Sequence, residues 1–163
     1  MKMFLSYTRD KDAFNAVTSF HKHFVNELEM AAPGSRVFLD KENISVGDRF
    51  PEKIARGLKD ADVLIILVSP KWLSSRWCRK EFELFSKKER ARDRQPCILP
   101  MLWVNTPALK RPGNDAIAKE LKKLQYTDWR ELRHETWQNP ELLKKVAHLA
   151  EKAVALVPEG ERR

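Results

Sequence analysis

The sequence predicts an α/β protein with a flavodoxin-like three-layer fold: a five-stranded parallel sheet, in the order 2-1-3-4-5, with helices on both faces. Short apolar segments alternate along the chain with segments of helical periodicity, which favours parallel strands joined by helical crossovers. The segment Val63–Val68 is apolar at every position, as expected of a central strand covered on both faces. The chain has 163 residues, a length that suits one domain of this class.

The first half of the chain predicts three strands and two helices. Apolar residues of the first helix recur at three-, four- and seven-residue steps, and the pair Pro33 and Gly34 ends it. Pro51 suits the first position of the second helix, because the N–H that proline lacks would have no partner there. The predicted elements are a strand at 3–7, a helix from 12, a strand at 36–39, a polar loop at 41–50, a helix at 51–59 and the central strand at 61–68.

The second half continues the alternation. Asn139 followed by Pro140 predicts the start of the last helix, because asparagine caps helices well and proline suits their first turn. The predicted elements are a helix at about 70–92, a strand at 97–104, a loop at 105–114, a helix at 116–124, a weak fifth strand at 125–127 and the last helix from 140. We expect one domain at 1–157 and, at 158–163, a polar tail or a linker to a further domain.

Charge and composition narrow the function classes. The net charge is +8, and residues 76–94 carry eight Lys or Arg against four Asp or Glu. No zinc-finger, KH or RRM signature accompanies this charge, so we expect a solvated helix face and no direct nucleic-acid partner. The longest apolar run is far shorter than the ~20 residues that span a bilayer. The start of the chain becomes polar at Ser6, whereas a signal peptide would continue with apolar residues. The two cysteines are too few for a disulfide framework and suit a reducing compartment, so we expect a cytoplasmic protein.

Familiar catalytic and cofactor motifs are missing from the sequence. The five glycines are too scattered for a P-loop or a dinucleotide-binding GxGxxG motif. The four histidines have no spacing that suits zinc, so neither a metal site nor a required cofactor is expected. The third strand runs into Ser69 and Pro70 where a receiver domain needs its phosphoacceptor aspartate, which excludes that class.

One carboxylate stands out on the third predicted helix. Residues three and four positions on either side of Glu81 are all apolar, so its own helix offers no cation to pair with it. An unpaired carboxylate on an apolar face is costly, and such placement marks candidate functional sites. Glu83 and Glu89 are flanked by charges, so the same test predicts that they lie at the surface. In the sheet order 2-1-3-4-5, ligands bind beyond the carboxyl ends of strands 1 and 3, where the chain direction across the sheet reverses (the switch point). Glu81 falls within residues 69–81, one of three segments expected beside this point.

Three segments together resemble Toll/interleukin-1 receptor (TIR) domains, over about residues 1–157. Residues 3–7 (MFLSY) resemble the opening box of that family. Residues 37–40 (VFLD) and 41–47 resemble its second strand and its BB loop. Residues 74–81 (SSRWCRKE) resemble the S-x-W-C-x-x-E motif of bacterial and plant members.

The resemblance implies one of two functions. Some TIR domains cleave NAD⁺ at the nicotinamide–ribose bond once they have self-assembled, and others are non-catalytic scaffolds that bind further TIR domains. The loop at 41–47 lacks the proline that animal receptor adaptors use, which favours the enzymatic branch. The resemblance further implies a prokaryotic antiviral or cell-suicide setting, in which a further C-terminal domain would serve as the sensor. The expected reaction is hydrolysis to nicotinamide and ADP-ribose or a cyclic isomer, with NAD⁺ as substrate. The scaffold remains the alternative.

The resemblance also implies roles for individual residues. Glu81 would be catalytic and would stabilise the oxocarbenium-like ribose, for which a carboxylate is the suitable group. Thr8, Arg9 and Ser45 match nucleotide contacts of the family, although axon-degeneration members have two arginines where this chain has Thr8 and Arg9. The remaining expected contacts are Tyr7 and Trp77, which would either stack on the nicotinamide or adenine ring or pack in the core, and Asp40, which would order the BB loop. The BB loop of a neighbouring copy would complete the site.

Overall fold

The computed structural model describes residues 1–9, 11–39, 51–93 and 96–161. The strands are β1 Lys2–Ser6, β2 Arg36–Leu39, β3 Val63–Val68, β4 Ile98–Leu102 and β5 Thr127–Asp128. The helices are α1 Lys11–Ala31, α2 Glu52–Asp60, α3 Pro70–Ser74, α4 Arg76–Ala91, α5 Ala116–Lys123 and α6 Pro140–Ala155. Short 3₁₀ turns occur at Pro107–Leu109, Leu132–His134 and Glu159–Glu161.

The five strands form one parallel sheet in the order β2-β1-β3-β4-β5, which confirms the predicted fold class. β1 lies between β2 and β3, so that Phe4 pairs with Phe38 on one side and Leu64 on the other. Chain connections leave β1 and β3 toward opposite faces of the sheet. The crevice between their carboxyl ends is therefore the switch point at which such sheets bind ligands.

Each face of the sheet has its own apolar core. α1 and α6 cover the first face, here called the α1 face, where the ring of Phe20 lies edge-on to Trp129 at 5.3 Å between centroids. α2, α4 and α5 cover the second face, called the α4 face, and bury Phe85 and Trp72. Side chains of β1 alternate between the two faces, with Leu5 on the α1 face and Phe4 and Ser6 on the α4 face. Neighbouring residues of one strand therefore serve different layers.

The helix predicted at 70–92 is two helices. Ser75 has an extended backbone (φ −74°, ψ 117°) and ends α3, and its hydroxyl accepts a hydrogen bond from the Cys78 N–H at the start of α4. Ser69 caps α3 in the same way, through the Trp72 N–H. Serine side chains offer the backbone an alternative to helical hydrogen bonds, and the sequence periodicity does not reveal this break.

Other element boundaries differ slightly from the prediction. Pro51 is the N-cap of α2 and not its first helical residue, because its ψ of 136° is extended. β5 is shifted to Thr127–Asp128, where the two residues pair with Met101 and Leu102. Val157 is fully buried against the α1-face core, so packing continues to the end of the predicted domain.

The prediction that Glu89 lies at the surface is wrong. Its side chain is 0 % exposed, with Lys88 Nζ at 3.2 Å and Arg92 Nη1 at 3.8 Å. Lys88 also donates to the carbonyls of Leu58 and Ala61, where α2 ends. The flanking charges that suggested a surface position are the groups that pair with the buried carboxylate. Glu83 is exposed, as predicted.

Candidate active site

Glu81 is buried on the α4 face, with 6 % of the residue exposed. The hydroxyl of Ser6, the last residue of β1, donates a hydrogen bond to Glu81 Oε2 at 2.5 Å. This is the lower end of the range for a hydroxyl bound to an ionised carboxylate. The structure thus places the carboxylate at the carboxyl end of β1, beside the switch point, and gives it a partner from the sheet.

A second buried side chain completes this arrangement. Trp72 of α3 donates its indole N–H to Ser6 Oγ at 2.9 Å. Neither Ser6 nor Trp72 was predicted as a site residue. The available signal was the polar Ser6 in an otherwise apolar strand, two positions after Phe4 and therefore on the same face.

Cys78 lies beside this group, but its thiol is not suited to nucleophilic chemistry. Burial, together with the negative charge of Glu81, raises the pKa of Cys78 to about 12. Its Sγ lies 3.7 Å from the carbonyl oxygen of Tyr7. Because the thiolate is the reactive form, this cysteine stays an inert neighbour of the carboxylate at neutral pH.

Tyr7 and Thr8 directly follow β1. Tyr7 is 8 % exposed within the α1-face core. Both residues line a cavity of about 250 Å³ beyond the carboxyl ends of β1 and β3, together with Lys71 and Trp103. The structure therefore brings Tyr7 and Thr8 together at this cavity, whose lining does not include Glu81.

The remaining predicted contacts are less closely grouped. Trp77 is half-buried and lies one helical turn before Glu81 on α4. Arg9 is half-buried in the segment that follows β1. Asp40 and Ser45 lie outside the described residues.

Within residues 1–9, 11–39, 51–93 and 96–161, no three His, Cys, Asp or Glu side chains are grouped so that they could hold a metal ion. In the described part of the chain, every helix is too short or too polar to cross a bilayer.

A family model for the TIR domain matches residues 3–144. The chain belongs to the TIR domain family. The match covers all five strands and most of the helices, including Ser6, Trp72 and Glu81. The resemblance inferred from the three sequence segments is thereby confirmed.

One curated relative of this TIR domain is a plant protein. It is a probable 2′ cyclic ADP-D-ribose synthase, BdTIR, of Brachypodium distachyon, and it is 29 % identical over 79 residues. The matched segment is 48 % of this chain and 33 % of the relative. This TIR domain thus matches only about a third of that protein's length.

Solved TIR structures share the fold. The TIR domains of the activated Roq1 resistosome, which directly recognises the pathogen effector XopQ, align over 91 % of this chain and 82 % of theirs, with 14 % identity and a TM-score of 0.50. The TIR domain of the Toll-related receptor TRR-2 from Hydra magnipapillata aligns over 88 % of this chain and 96 % of its own, with 19 % identity and a TM-score of 0.49. At this identity the likeness to the Roq1 domains supports the architecture alone.

Proposed function

We propose that this TIR domain cleaves NAD⁺ at the bond between nicotinamide and ribose, with Glu81 as the catalytic residue. The observation that carries the proposal is the buried Glu81 carboxylate, held by Ser6 at the carboxyl end of β1. The relative named as a probable cyclic ADP-ribose synthase supports the substrate class. The products are nicotinamide and ADP-ribose or a cyclic isomer.

The chemistry suits a single carboxylate. The nicotinamide leaves with the electron pair of the C1′–N bond, and because it is attached as a cation it departs neutral and needs no general acid. The ribose then carries oxocarbenium-like positive charge, which a nearby carboxylate stabilises. Water adds at C1′ and loses a proton to complete the hydrolysis. A carboxylate in a site of low polarity interacts more strongly with such a charge than it would in water.

We further propose that the active form is a self-assembled one. The BB loop of one copy would complete the site of its neighbour, and Arg9, Thr8 and Ser45 would contact the nucleotide. Contacts that join two different surfaces of the same chain generate open head-to-tail assemblies. An immune or cell-suicide setting for this assembly is part of the proposal.

The test measures nicotinamide release from NAD⁺ by concentrated protein with a crowding agent. Glu81→Gln keeps the shape and one acceptor oxygen for Ser6 but removes the charge, so we expect a loss of more than about 100-fold in kcat with the fold retained. Glu83→Gln makes the same change at an exposed position of the same helix and should leave the rate unchanged.

The outcomes separate the candidate functions. Equal activity in the wild type and Glu81→Gln would place the chemistry elsewhere. If all three proteins are inactive while light scattering shows assembly, the domain is a non-catalytic scaffold.

A further inference from the structure

Three buried side chains from three elements form a directed chain of hydrogen bonds on the α4 face. Trp72 of α3 donates to Ser6 of β1 at 2.9 Å, and Ser6 donates to Glu81 of α4 at 2.5 Å. An indole N–H can only donate, so Ser6 must accept from Trp72. The single hydroxyl proton of Ser6 is therefore directed at the carboxylate of Glu81.

We propose that Ser6 is a positioning residue for Glu81, and that Trp72 fixes the orientation of the Ser6 hydroxyl. This inference rests on the proposed function. A glutamate side chain has three rotatable bonds, and holding it in one conformer carries an entropic cost. Because the carboxylate is planar, a bond that fixes Oε2 also limits where Oε1 can lie. The reacting ribose would then meet a carboxylate already in place.

The chemistry of the partner suits this role. A lysine or arginine would hold the carboxylate but would also offset the negative charge that stabilises the developing cation. A hydroxyl is neutral, so the hydrogen bond from Ser6 fixes the carboxylate without itself offsetting the negative charge.

The surroundings make the arrangement rigid. Ser6 is 1 % exposed and Trp72 is fully buried, so neither hydrogen bond competes with water. Ser6 belongs to β1, which pairs with a strand on either side, so the backbone that carries the hydroxyl is held in place. A group that acts through Glu81 in this way should affect the rate of the chemical step more than the binding of substrate.

The experiment compares Ser6→Ala with Ser86→Ala. Ser86 is a matched control because it is buried on α4, the helix of Glu81, and its hydroxyl makes no hydrogen bond within the described residues. In nicotinamide release from NAD⁺, we expect Ser6→Ala to lower kcat by about 10- to 100-fold, with KM within about twofold of wild type. Ser86→Ala should match the wild type. Ser6→Thr keeps the hydroxyl and should recover most of the lost kcat.

A crystal structure of Ser6→Ala supplies a readout that does not depend on activity. We expect the Glu81 carboxylate to leave its position at the end of β1, with Trp72 unmoved. The proposal is overturned if Ser6→Ala has the kcat of Ser86→Ala, if only KM changes, or if Glu81 keeps its position in the variant. If wild type and Glu81→Gln are both inactive on NAD⁺, the proposed function fails, and the position of Glu81 in the variant alone decides whether Ser6 holds it.

Discussion

Glu81 and Glu89 are two buried carboxylates on one helix with different kinds of partner. Glu81 accepts from the neutral hydroxyl of Ser6, whereas Glu89 lies between Lys88 and Arg92. Lys88 continues to the carbonyls at the end of α2, and its ammonium lies 4.2 Å from the centroid of the Phe85 ring. Glu89 is thus part of an ion cluster that joins two helices. We therefore assign Glu89 a structural role.

Replacing Glu89 by glutamine should destabilise the domain far more than the same change at Glu83. The substitution removes the buried carboxylate charge that pairs with the partly buried Lys88, and breaking a buried ion pair costs about 3 kcal/mol. Glu83 is exposed on the same helix, and a surface change of this kind stays within about 0.5 kcal/mol. Urea unfolding at neutral pH measures both values. Equal free energies of unfolding for the two variants would contradict a structural role for the Glu89 cluster.

At the scale of elements, the break between α3 and α4 makes the Trp72–Ser6–Glu81 arrangement geometrically feasible. In one continuous helix, residues nine positions apart lie about 180° from each other around the axis and roughly 13.5 Å apart along it. Trp72 and Glu81 could not then reach the same hydroxyl. Ser75 ends α3 and caps α4, so the two side chains approach Ser6 from separate helices.

A second junction of elements joins α4 to α5. Arg79 of α4 donates to both carboxylate oxygens of Asp115, at 2.8 and 3.2 Å. The same carboxylate is the N-cap of α5 and accepts from the N–H groups of Ile117 and Ala118. The hydrogen bond from Arg79 is the main reason that the pKa of Asp115 lies below its ordinary value. One side chain thus links two helices that cover the α4 face.

Substitutions of Asp115 separate its two roles. Asp115→Ala removes both the cap and the ion pair, whereas Asp115→Asn keeps a capping oxygen, and the loss of an N-cap costs about 1 kcal/mol. Because the folded state lowers the pKa of Asp115, the ionised carboxylate contributes stability above the pKa of the unfolded chain, and this stability is lost as pH falls through the folded pKa.

We therefore expect the advantage of wild type over Asp115→Asn to be constant near neutral pH and to shrink below about pH 4, the ordinary range for aspartate. Urea unfolding at a series of pH values measures it. An advantage that stays the same down to pH 3 would exclude the ion pair with Arg79 as its source.

For the whole molecule, the sequence predicts the layers better than the site. The strand order follows from the apolar run at Val63–Val68 and from the alternation of strands and helices, since both are local patterns along the sequence. The helical neighbours of Glu81 indicate its burial, and the structure confirms that it is buried. Its partner Ser6 lies 75 residues away in sequence and becomes a neighbour only when β1 and α4 pack together. Glu89 was misjudged for a different reason: the charges beside it in sequence predicted a surface position, whereas Lys88 pairs with its buried carboxylate and also reaches the end of α2.

The last prediction concerns the assembly of whole domains. Among the described residues, the side chains expected to contact the nucleotide do not all share one cavity, since Tyr7 and Thr8 line the cavity beyond β1 and β3 and the lining of that cavity does not include Glu81. A monomer that presents its groups in this way gains a complete site most directly from a neighbouring copy.

We therefore expect the NAD⁺-cleavage rate per domain to rise with protein concentration, in parallel with the assembled fraction. Nicotinamide release and light scattering, recorded on the same samples over about a 100-fold concentration range, measure both quantities, and mass action requires the two curves to share a midpoint. Glu81→Gln is the control, because it should assemble at the same concentrations as wild type and release no nicotinamide. A rate per domain that stays constant across the range, with Glu81→Gln inactive, would show that the monomer carries a complete site and that neighbouring copies are not needed for the reaction.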